Sequence, residues 1–278
     1  MSTKVISTQK GDIEVNITGR GVPILIAHGG HSSCKERILH KGMDLNRFLL
    51  ITPSRPGYGN TPLADRVSPQ DTAELFNALL DELQLEAVIL VGLSAGGLSA
   101  LAFASYFPAR VKKLVLVSAV TKKWMSEKDG TYLRAKKLFA PGREKYTWGL
   151  FRFFSRLFPR MMAGVLFKEL SGFQPINMTN GEIAELFAMI NLQRSKEGFV
   201  NDLDQDLGEE VVQRISCPTF ILHGSYDKSV PVAHAQFAHA TIKHSILKIY
   251  DNKWGHLLWL GNEGSLPIHD MLGFIEGP

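Results

Sequence analysis

Ser94 is the residue whose type and surroundings most directly suggest chemistry. It lies in residues 92–97 (GLSAGG), which follow the apolar run 87–91 and lead into a second apolar segment. A serine between glycines at the end of a buried strand, with a helix behind it, is typical of a nucleophile elbow. The backbone turns so sharply there that Gly92 and Gly96 relieve crowding while Ser94 Oγ is pushed outward. The pattern predicts that Ser94 is a nucleophile.

Candidate partners for Ser94 lie in two loops near the end of the chain. A serine hydroxyl needs a base to take its proton and a third group to orient that base. Because the carboxyl ends of parallel strands share one edge of a sheet, these partners should follow other strands. Asp227 follows the apolar residues 217–223, and His256 follows the strand-like residues 246–250. The sequence therefore predicts a catalytic triad of Ser94, Asp227 and His256.

Simpler interpretations of these partners stay open at this point. Asp227 would also fit a turn or a helix cap before Val230. His256 would also fit a surface or capping position. Asp251 shares the loop of His256 but lies so close to the strand end that it ranks below Asp227.

Backbone N–H groups beside Ser94 are candidates to stabilise the negative oxygen that forms during acyl transfer. The amide of Ala95, at the start of the helix, is one natural donor. Residues 28–31 (HGGH) follow another buried strand, and Gly30 is predicted to supply the second donor because glycine lets the backbone approach a ligand closely. The alternative is that Gly29 and Gly30 form only a flexible turn. The candidates for substrate contacts are side chains of the inserted segment described below, together with Gly29, His31 and Leu93.

Composition restricts the class of protein. The 278 residues are 45% hydrophobic and 21% charged, as in ordinary globular proteins, and suffice for one domain with an insertion. No apolar stretch approaches the roughly 20 residues that span a bilayer. The first residues contain no apolar segment of a signal peptide, so a cytoplasmic protein is predicted. Cys34 and Cys217 are too few for a disulfide framework, and neither a metal nor a cofactor is expected.

Strand-like and helix-like segments alternate in two parts of the chain. Nearly uniform apolar strands between helices predict a parallel sheet with both faces covered. The alternation stops near Ala119 and resumes near Ile215, and the residues between them read as helical. We therefore predict an α/β core formed by residues 1–119 and 206–278. A helical lid, residues 120–205, is inserted between the sixth and seventh strands.

These features together resemble the α/β-hydrolase superfamily, in its serine-nucleophile branch with a helical lid. The resemblance runs in family order and is carried by residues 28–30, 55–59, 92–97, 223–231 and 255–256. It implies an α/β fold with an eight-stranded, mostly parallel sheet flanked by helices and a lid after the sixth strand. It also implies that the triad consists of Ser94, Asp227 and His256.

Some branches of the superfamily fit less well. Leu93 stands where histidine is common before the serine. Gly30 and His31 replace the Gly-Pro-Gly often seen in proline iminopeptidases, which argues against a peptidase. Ser94 argues against haloalkane dehalogenases and epoxide hydrolases of this fold, because those enzymes use an aspartate at the elbow.

The predicted activity is that of a serine hydrolase acting on a small molecule. Hydrolysis of a carboxylic ester of a hydrophobic substrate, as by a carboxylesterase, is the favoured reaction. Lactone, thioester or amide hydrolysis and carbon–carbon cleavage of a diketone would use the same residues. A ligand-sensing protein with slow or single turnover is the alternative from another class, and a cofactor-independent oxygenase is a third hypothesis.

Positive charge is concentrated in the inserted segment. Residues 120–170 hold twelve Lys or Arg and four Asp or Glu, although the formal charge of the whole chain is only +4. Arg152, Arg156 and Arg160 share one side of a predicted helix, which Pro159 would kink or split. Apolar residues recur at helical spacing on another side: Phe151, Phe154, Phe158, Met161, Met162 and Val165.

This amphipathic pattern has two interpretations. In the first, the apolar side faces the substrate pocket and the arginines lie in water. In the second, the basic, aromatic lid docks on anionic lipid surfaces or admits acyl chains. No nucleic-acid-binding motif accompanies the charge, so a nucleic-acid partner is not expected. The sequence leaves the oligomeric state open.

Overall fold

A computed structural model describes residues 3–277, apart from the side chain of Leu39. Over this range the chain forms an eight-stranded sheet with the order β1-β2-β4-β3-β5-β6-β7-β8. The strands are β1 (Thr3–Thr8), β2 (Gly11–Gly19), β3 (Val22–Ala27), β4 (Phe48–Pro53), β5 (Val88–Leu93), β6 (Val111–Val117), β7 (Thr219–Gly224) and β8 (Ser245–Tyr250). β2 pairs antiparallel with β1 and β4, and the other neighbouring strands are parallel. The predicted mostly parallel α/β fold is confirmed.

The helices cover the sheet and build the insertion. They are α1 (Pro69–Glu82), α2 (Gly97–Tyr106), α3 (Gly130–Leu138), α4 (Glu144–Leu157), α5 (Pro159–Leu170), α6 (Asn180–Ile190), α7 (Gly198–Asp204), α8 (Glu209–Val212), α9 (Ala233–Thr241) and α10 (Ser265–Glu276). Ser68 and Asp71 form a capping box that fixes the start of α1. One core packs α1 and α2 on the sheet through residues such as Phe76 and Phe103. A second core, around residues such as Val91, lies on the other face.

The inserted helices α3 to α7 follow β6 and precede β7, where the sequence predicts them. α4 ends at Leu157 and α5 begins at Pro159, so the proline splits the helix as predicted. The physical reason is that proline lacks the N–H that would continue the hydrogen bonding of α4. The division into a core and a lid of residues 120–205 stays a prediction.

The orientation of α4 and α5 differs from the first interpretation of their pattern. Phe154, Phe158, Met161 and Val165 are 37%, 51%, 57% and 48% exposed, so these side chains face outward. The expectation that the apolar side faces the pocket is therefore wrong for them. The reason is that a different side of α4 packs against the rest of the protein. The buried residues of this helix are Glu144, Trp148 and Ser155. Within residues 3–277, no helix is both long and apolar enough to cross a bilayer.

Candidate active site

The turn at Ser94 has the crowded geometry that the glycine spacing predicts. β5 ends at Leu93, and Ser94 has a φ of +49°, in the left-handed region that non-glycine residues rarely adopt. A Cβ on Gly92 would lie 2.7 Å from Ala100 Cβ, and one on Gly96 would lie 2.2 Å from the carbonyl oxygen of Ala27. The turn therefore depends on close backbone approach at both glycines.

Replacing Gly96 by alanine is expected to lower the free energy of unfolding by about 3 kcal/mol, because the new methyl group meets backbone oxygens that cannot move aside. Urea unfolding followed by circular dichroism measures the effect. The control is Gly273→Ala in α10, where a Cβ meets nothing within 4 Å. That variant should be as stable as the wild type or more stable by roughly 0.5–1 kcal/mol. Equal stability of the two variants would contradict the crowding argument.

The structure brings together the three residues predicted as a triad. Ser94 Oγ lies 2.9 Å from His256 Nε2. His256 Nδ1 lies 2.8 Å from Asp227 Oδ2. The three residues are 6–8% exposed, so the contacts are shielded from water. They follow β5, β7 and β8, which end at one edge of the sheet because these strands are parallel.

Asp227 both shapes its turn and orients His256. Its Oδ1 accepts hydrogen bonds from the backbone N–H groups of Ser229 and Val230, at 3.0 and 2.8 Å. Its Oδ2 faces His256 and also lies 3.3 Å from His223 Nε2. Burial alone would raise the pKa of Asp227. The charge of His256 and hydrogen bonds from both histidines outweigh burial and hold that pKa at about 2. The carboxylate is therefore ionised at neutral pH and accepts the Nδ1–H of His256.

The loops that carry Asp227 and His256 touch through their backbones. A Cβ on Gly224 would lie 2.2 Å from the carbonyl oxygen of Gly255. The carbonyl oxygen of Leu170, at the end of α5, accepts the N–H of His256 at 3.1 Å. Asp251, the lower-ranked carboxylate, is exposed, and its Oδ1 accepts a hydrogen bond from Ser225 Oγ at 3.3 Å. The packing thus turns Asp227, not Asp251, toward His256.

The loop of residues 28–31 lies against the Ser94 turn. A Cβ on Gly29 would lie 3.2 Å from Ser94 Cβ, and one on Gly30 would lie 3.7 Å from Ala95 Cβ. The same position on Gly30 is 3.0 Å from the ring of Phe199. The backbone of the loop and the start of α2 therefore flank Ser94. The use of the Gly30 and Ala95 amides as oxyanion donors stays a prediction, as do substrate contacts of Gly29, His31 and Leu93.

His28 shapes this loop through both ring nitrogens. Its Nδ1–H donates to the carbonyl oxygen of Gly29 at 2.7 Å, and its Nε2 accepts the N–H of Arg55 at 3.0 Å. One donor and one acceptor are the pattern of a neutral imidazole. Burial and the charge of Arg55 hold the pKa of His28 well below its ordinary value, which keeps the ring neutral.

A buried ion pair that sequence reasoning missed ties the loop to α7. Arg55 Nη1 and Nη2 lie 2.6 and 2.7 Å from the two carboxylate oxygens of Asp202. Arg55 Nε donates to the carbonyl oxygen of His28 at 2.8 Å, and the Tyr58 hydroxyl donates to Asp202 at 2.5 Å. Arg55 and Tyr58 belong to the motif of residues 55–59, which is visible in the sequence. The helical pattern around Asp202 gave no indication that Asp202 would pair with them.

His31 forms a second missed contact with the insertion. Its Nδ1 lies 2.6 Å from Ser195 Oγ, which also accepts the Nε1–H of Trp148 at 2.8 Å. The ring stacks on Phe199 with centroids 3.7 Å apart. Burial lowers the pKa of His31 to about 3, so its imidazole is neutral. His31 therefore connects residues 195–199 of the insertion to the loop that contains Gly30.

Acid is expected to destabilise the protein through its buried neutral histidines. The pKa of His31 is about 3 and that of His234 about 4, both lowered chiefly by burial from an ordinary value of 6.5. Below pH 6.5 these histidines bind protons in the unfolded chain but stay neutral in the folded protein. Their contribution to the free energy of unfolding is therefore complete above pH 6.5 and falls as the pH drops toward 3. Each group contributes a slope of about 1.4 kcal/mol per pH unit.

Urea unfolding between pH 7 and pH 5 measures this slope. His31→Gln should reduce it by about 1.4 kcal/mol per pH unit, and His269→Gln, at a side chain that is 85% exposed, is the surface control. A wild-type slope near zero would contradict the prediction, because the folded and unfolded chains would then bind equal numbers of protons between pH 7 and pH 5.

Known proteins resemble this chain over most of its length. The family model described as alpha/beta hydrolase fold matches residues 22–262. The chain is 39% identical over 279 residues to the uncharacterized hydrolase YcgS of Bacillus subtilis (strain 168), covering 98% of each protein. It is similar to the solved structure of an alpha/beta hydrolase fold protein from Nakamurella multipartita, with a TM-score of 0.75, 26% identity and 97% of each chain covered. It is also similar to an esterase from Exiguobacterium antarcticum, with a TM-score of 0.74, 20% identity, and 99% of this chain and 100% of that chain covered.

Proposed function

Because the chain belongs to the alpha/beta hydrolase fold family, we propose that it is a serine hydrolase that cleaves carboxylic esters. One observation carries the proposal. In a buried site, His256 contacts Ser94 Oγ through Nε2 at 2.9 Å and Asp227 Oδ2 through Nδ1 at 2.8 Å. Nucleophile, base and orienting carboxylate at these distances are the arrangement that acyl transfer requires.

The proposed reaction uses these groups in two half-reactions. Ser94 Oγ attacks the carbonyl carbon of the ester while His256 Nε2 takes the hydroxyl proton, and the carbonyl electrons move to the oxygen. The amides of Gly30 and Ala95 stabilise that oxyanion. As the intermediate collapses, His256 gives its proton to the leaving alkoxide, and the acyl group stays on Ser94. Water, deprotonated by His256, then releases the acid and restores the serine.

Asp227 acts on His256 throughout these steps. Its pKa of about 2 keeps it ionised at neutral pH, so it holds the proton of His256 on Nδ1 and leaves Nε2 free to face Ser94. It also stabilises the imidazolium that forms during each proton transfer. Since His223 and two backbone amides hold the same carboxylate, its orientation is fixed before the substrate binds.

Aromatic side chains beside Gly30 support an apolar acyl or aryl substrate. Phe199 packs on Gly30, the ring of Phe139 lies 5.3 Å from that of Phe199, and the ring of Trp148 lies 5.5 Å from that of Phe139, as centroid distances. The esterase from Exiguobacterium antarcticum shares this fold. Because Ser94 is 8% exposed, we further propose that residues 120–205 act as a lid that must shift to admit the ester.

Two assays with the purified protein test the proposal. In the first, a fluorophosphonate probe is expected to label Ser94, which peptide mass spectrometry locates, and Ser94→Ala is the unlabelled control. In the second, p-nitrophenyl esters with acyl chains from acetyl to palmitoyl should be hydrolysed with multiple turnovers. Absence of labelling would contradict the triad. Labelling without turnover on any ester would contradict the esterase and favour the ligand-sensing alternative.

A further inference from the structure

The outward side of α4 and α5 forms a contiguous apolar surface, which we call the outer face. The side chains that build it are each more than half exposed: Tyr146, Leu150, Phe153, Leu157, Phe158 and Met161. Four of them, Tyr146, Leu150, Phe153 and Leu157, recur three or four residues apart and therefore lie along one side of α4. Phe158 and Met161 follow on either side of the break at Pro159 and are also exposed. Water-exposed patches of this kind are uncommon and mark interaction sites.

Contacts on the inner side of α4 hold the outer face in place. Glu144 is buried and accepts hydrogen bonds from Arg194, with Nη2 to Oε1 at 2.8 Å. Trp148 is buried and donates to Ser195 at 2.8 Å. Rotating α4 so that its apolar side faces inward would break both contacts. No other charge would then compensate for the loss of the pair between Glu144 and Arg194. The exposure of the outer face is therefore built into the fold.

The charges of the segment that carries the outer face are of one sign. Residues 145–168 contain five Lys or Arg and no Asp or Glu. Lys145, Arg156 and Arg160 are exposed beside the apolar side chains. Apolar aromatic residues with Lys and Arg at their edges are the pattern of helices that lie in a bilayer interface, where each cation gains from anionic lipids. A second copy of the chain would present the same excess of cations, because its residues 145–168 contain no acidic side chains that could pair with them.

A groove beside the outer face offers room for an acyl chain. It has a volume of about 630 Å³ and lies between α5 and α6, lined by Phe158, Met161, Ile183 and Phe187. Phe158 and Met161 belong to both the groove and the outer face. Arg160 also lines the groove and donates to Asn180 at 2.8 Å. An apolar groove with a cation in its lining fits a lipid with an anionic headgroup.

From these observations we infer that the outer face docks on the surface of a bilayer that contains anionic lipid. α5, which carries Met161, ends at Leu170, whose carbonyl oxygen accepts the N–H of His256. Docking would therefore place the loops of the candidate active site no more than the length of α5, 12 residues or about 18 Å, from the lipid.

Vesicle flotation tests the inference. Wild-type protein is mixed with vesicles of phosphatidylcholine alone or of equal parts phosphatidylcholine and phosphatidylglycerol, and the bound fraction is measured. Lys145→Glu/Arg156→Glu and Phe153→Ser/Met161→Ser should each reduce binding to the anionic vesicles by about tenfold or more. The matched controls lie far away on the sheet side: Lys243→Glu for charge and Ile246→Ser, which is 59% exposed, for apolar surface. Ser94→Ala should bind as the wild type does, which separates docking from the proposed esterase activity.

Binding to anionic vesicles that the controls keep and the outer-face variants lose supports the inference. Binding to neither kind of vesicle, equal binding to both, or equal binding by all variants would overturn it. A concentration-dependent dimer in light scattering that Phe153→Ser/Met161→Ser abolishes, without vesicle binding by the wild type, would instead identify the outer face as a self-association surface.

Discussion

Ser94→Ala is expected to lower kcat for ester hydrolysis by roughly 10⁴–10⁶-fold while the protein stays folded. The variant keeps the turn but removes the only atom at this position that can form the acyl-enzyme. His256 Nε2 then has no hydroxyl at 2.9 Å from which to take a proton. Initial rates on the best p-nitrophenyl ester, together with circular dichroism, measure the effect.

Ser195→Ala is the matched control for this change. Ser195 is also buried and also hydrogen-bonded to a histidine, His31, at 2.6 Å, but it lies in the contact between the insertion and the Gly30 loop. Its loss should cost about 1–3 kcal/mol of stability, because His31 and Trp148 each lose a partner, and should leave the nucleophile in place. If Ser94→Ala retained activity within tenfold of the wild type, the proposed nucleophile would be wrong.

Asp202→Asn is expected to lower the free energy of unfolding by about 3–5 kcal/mol. The carboxylate is the counter-charge of Arg55, and both side chains are 2–3% exposed. Burial alone would lower the pKa of Arg55, but the charge of Asp202 raises it above its ordinary value, so the guanidinium stays charged. An amide at this position leaves that charge buried without compensation. Thermal and urea unfolding measure the loss.

An exposed pair and a double variant sharpen this prediction. Glu169→Gln removes the partner of Arg134 at 3.1 Å, but those side chains are about 60% exposed, so the change should be within about 1 kcal/mol. Arg55→Met combined with Asp202→Leu should recover much of the stability lost by Asp202→Asn, because no charge is then left buried. If Asp202→Asn were as mild as Glu169→Gln, the buried pair would not stabilise the contact between α7 and the His28 loop.

The fold and the proximity of the three residues proposed as a triad could be predicted because their signals are local. Apolar runs such as Val22–Ala27 mark central strands, and the structure forms a strand over those residues. Ser94, Asp227 and His256 each come shortly after such a run. Parallel strands end at one edge, so placing the strands also brings their following loops together.

The contacts between the insertion and the core could not be predicted, because each joins residues far apart in sequence. Asp202 meets Arg55 across 147 positions, and Ser195 meets His31 across 164. Helical periodicity says that α4 has an apolar side but not which way that side faces. Here Glu144 and Trp148 settle the direction through partners elsewhere in the chain.

The sequence by itself therefore determined the sheet, the insertion after its sixth strand and the three loops that carry Ser94, Asp227 and His256. These depend on apolar periodicity, on glycine where a Cβ has no room, and on the geometry shared by all parallel sheets. Only the tertiary structure decided that α4 turns Phe153 outward and that Asp202 and Ser195 hold the Gly30 loop. Those features depend on pairing buried polar groups over long sequence distances, and such pairing leaves no periodic signal along the chain.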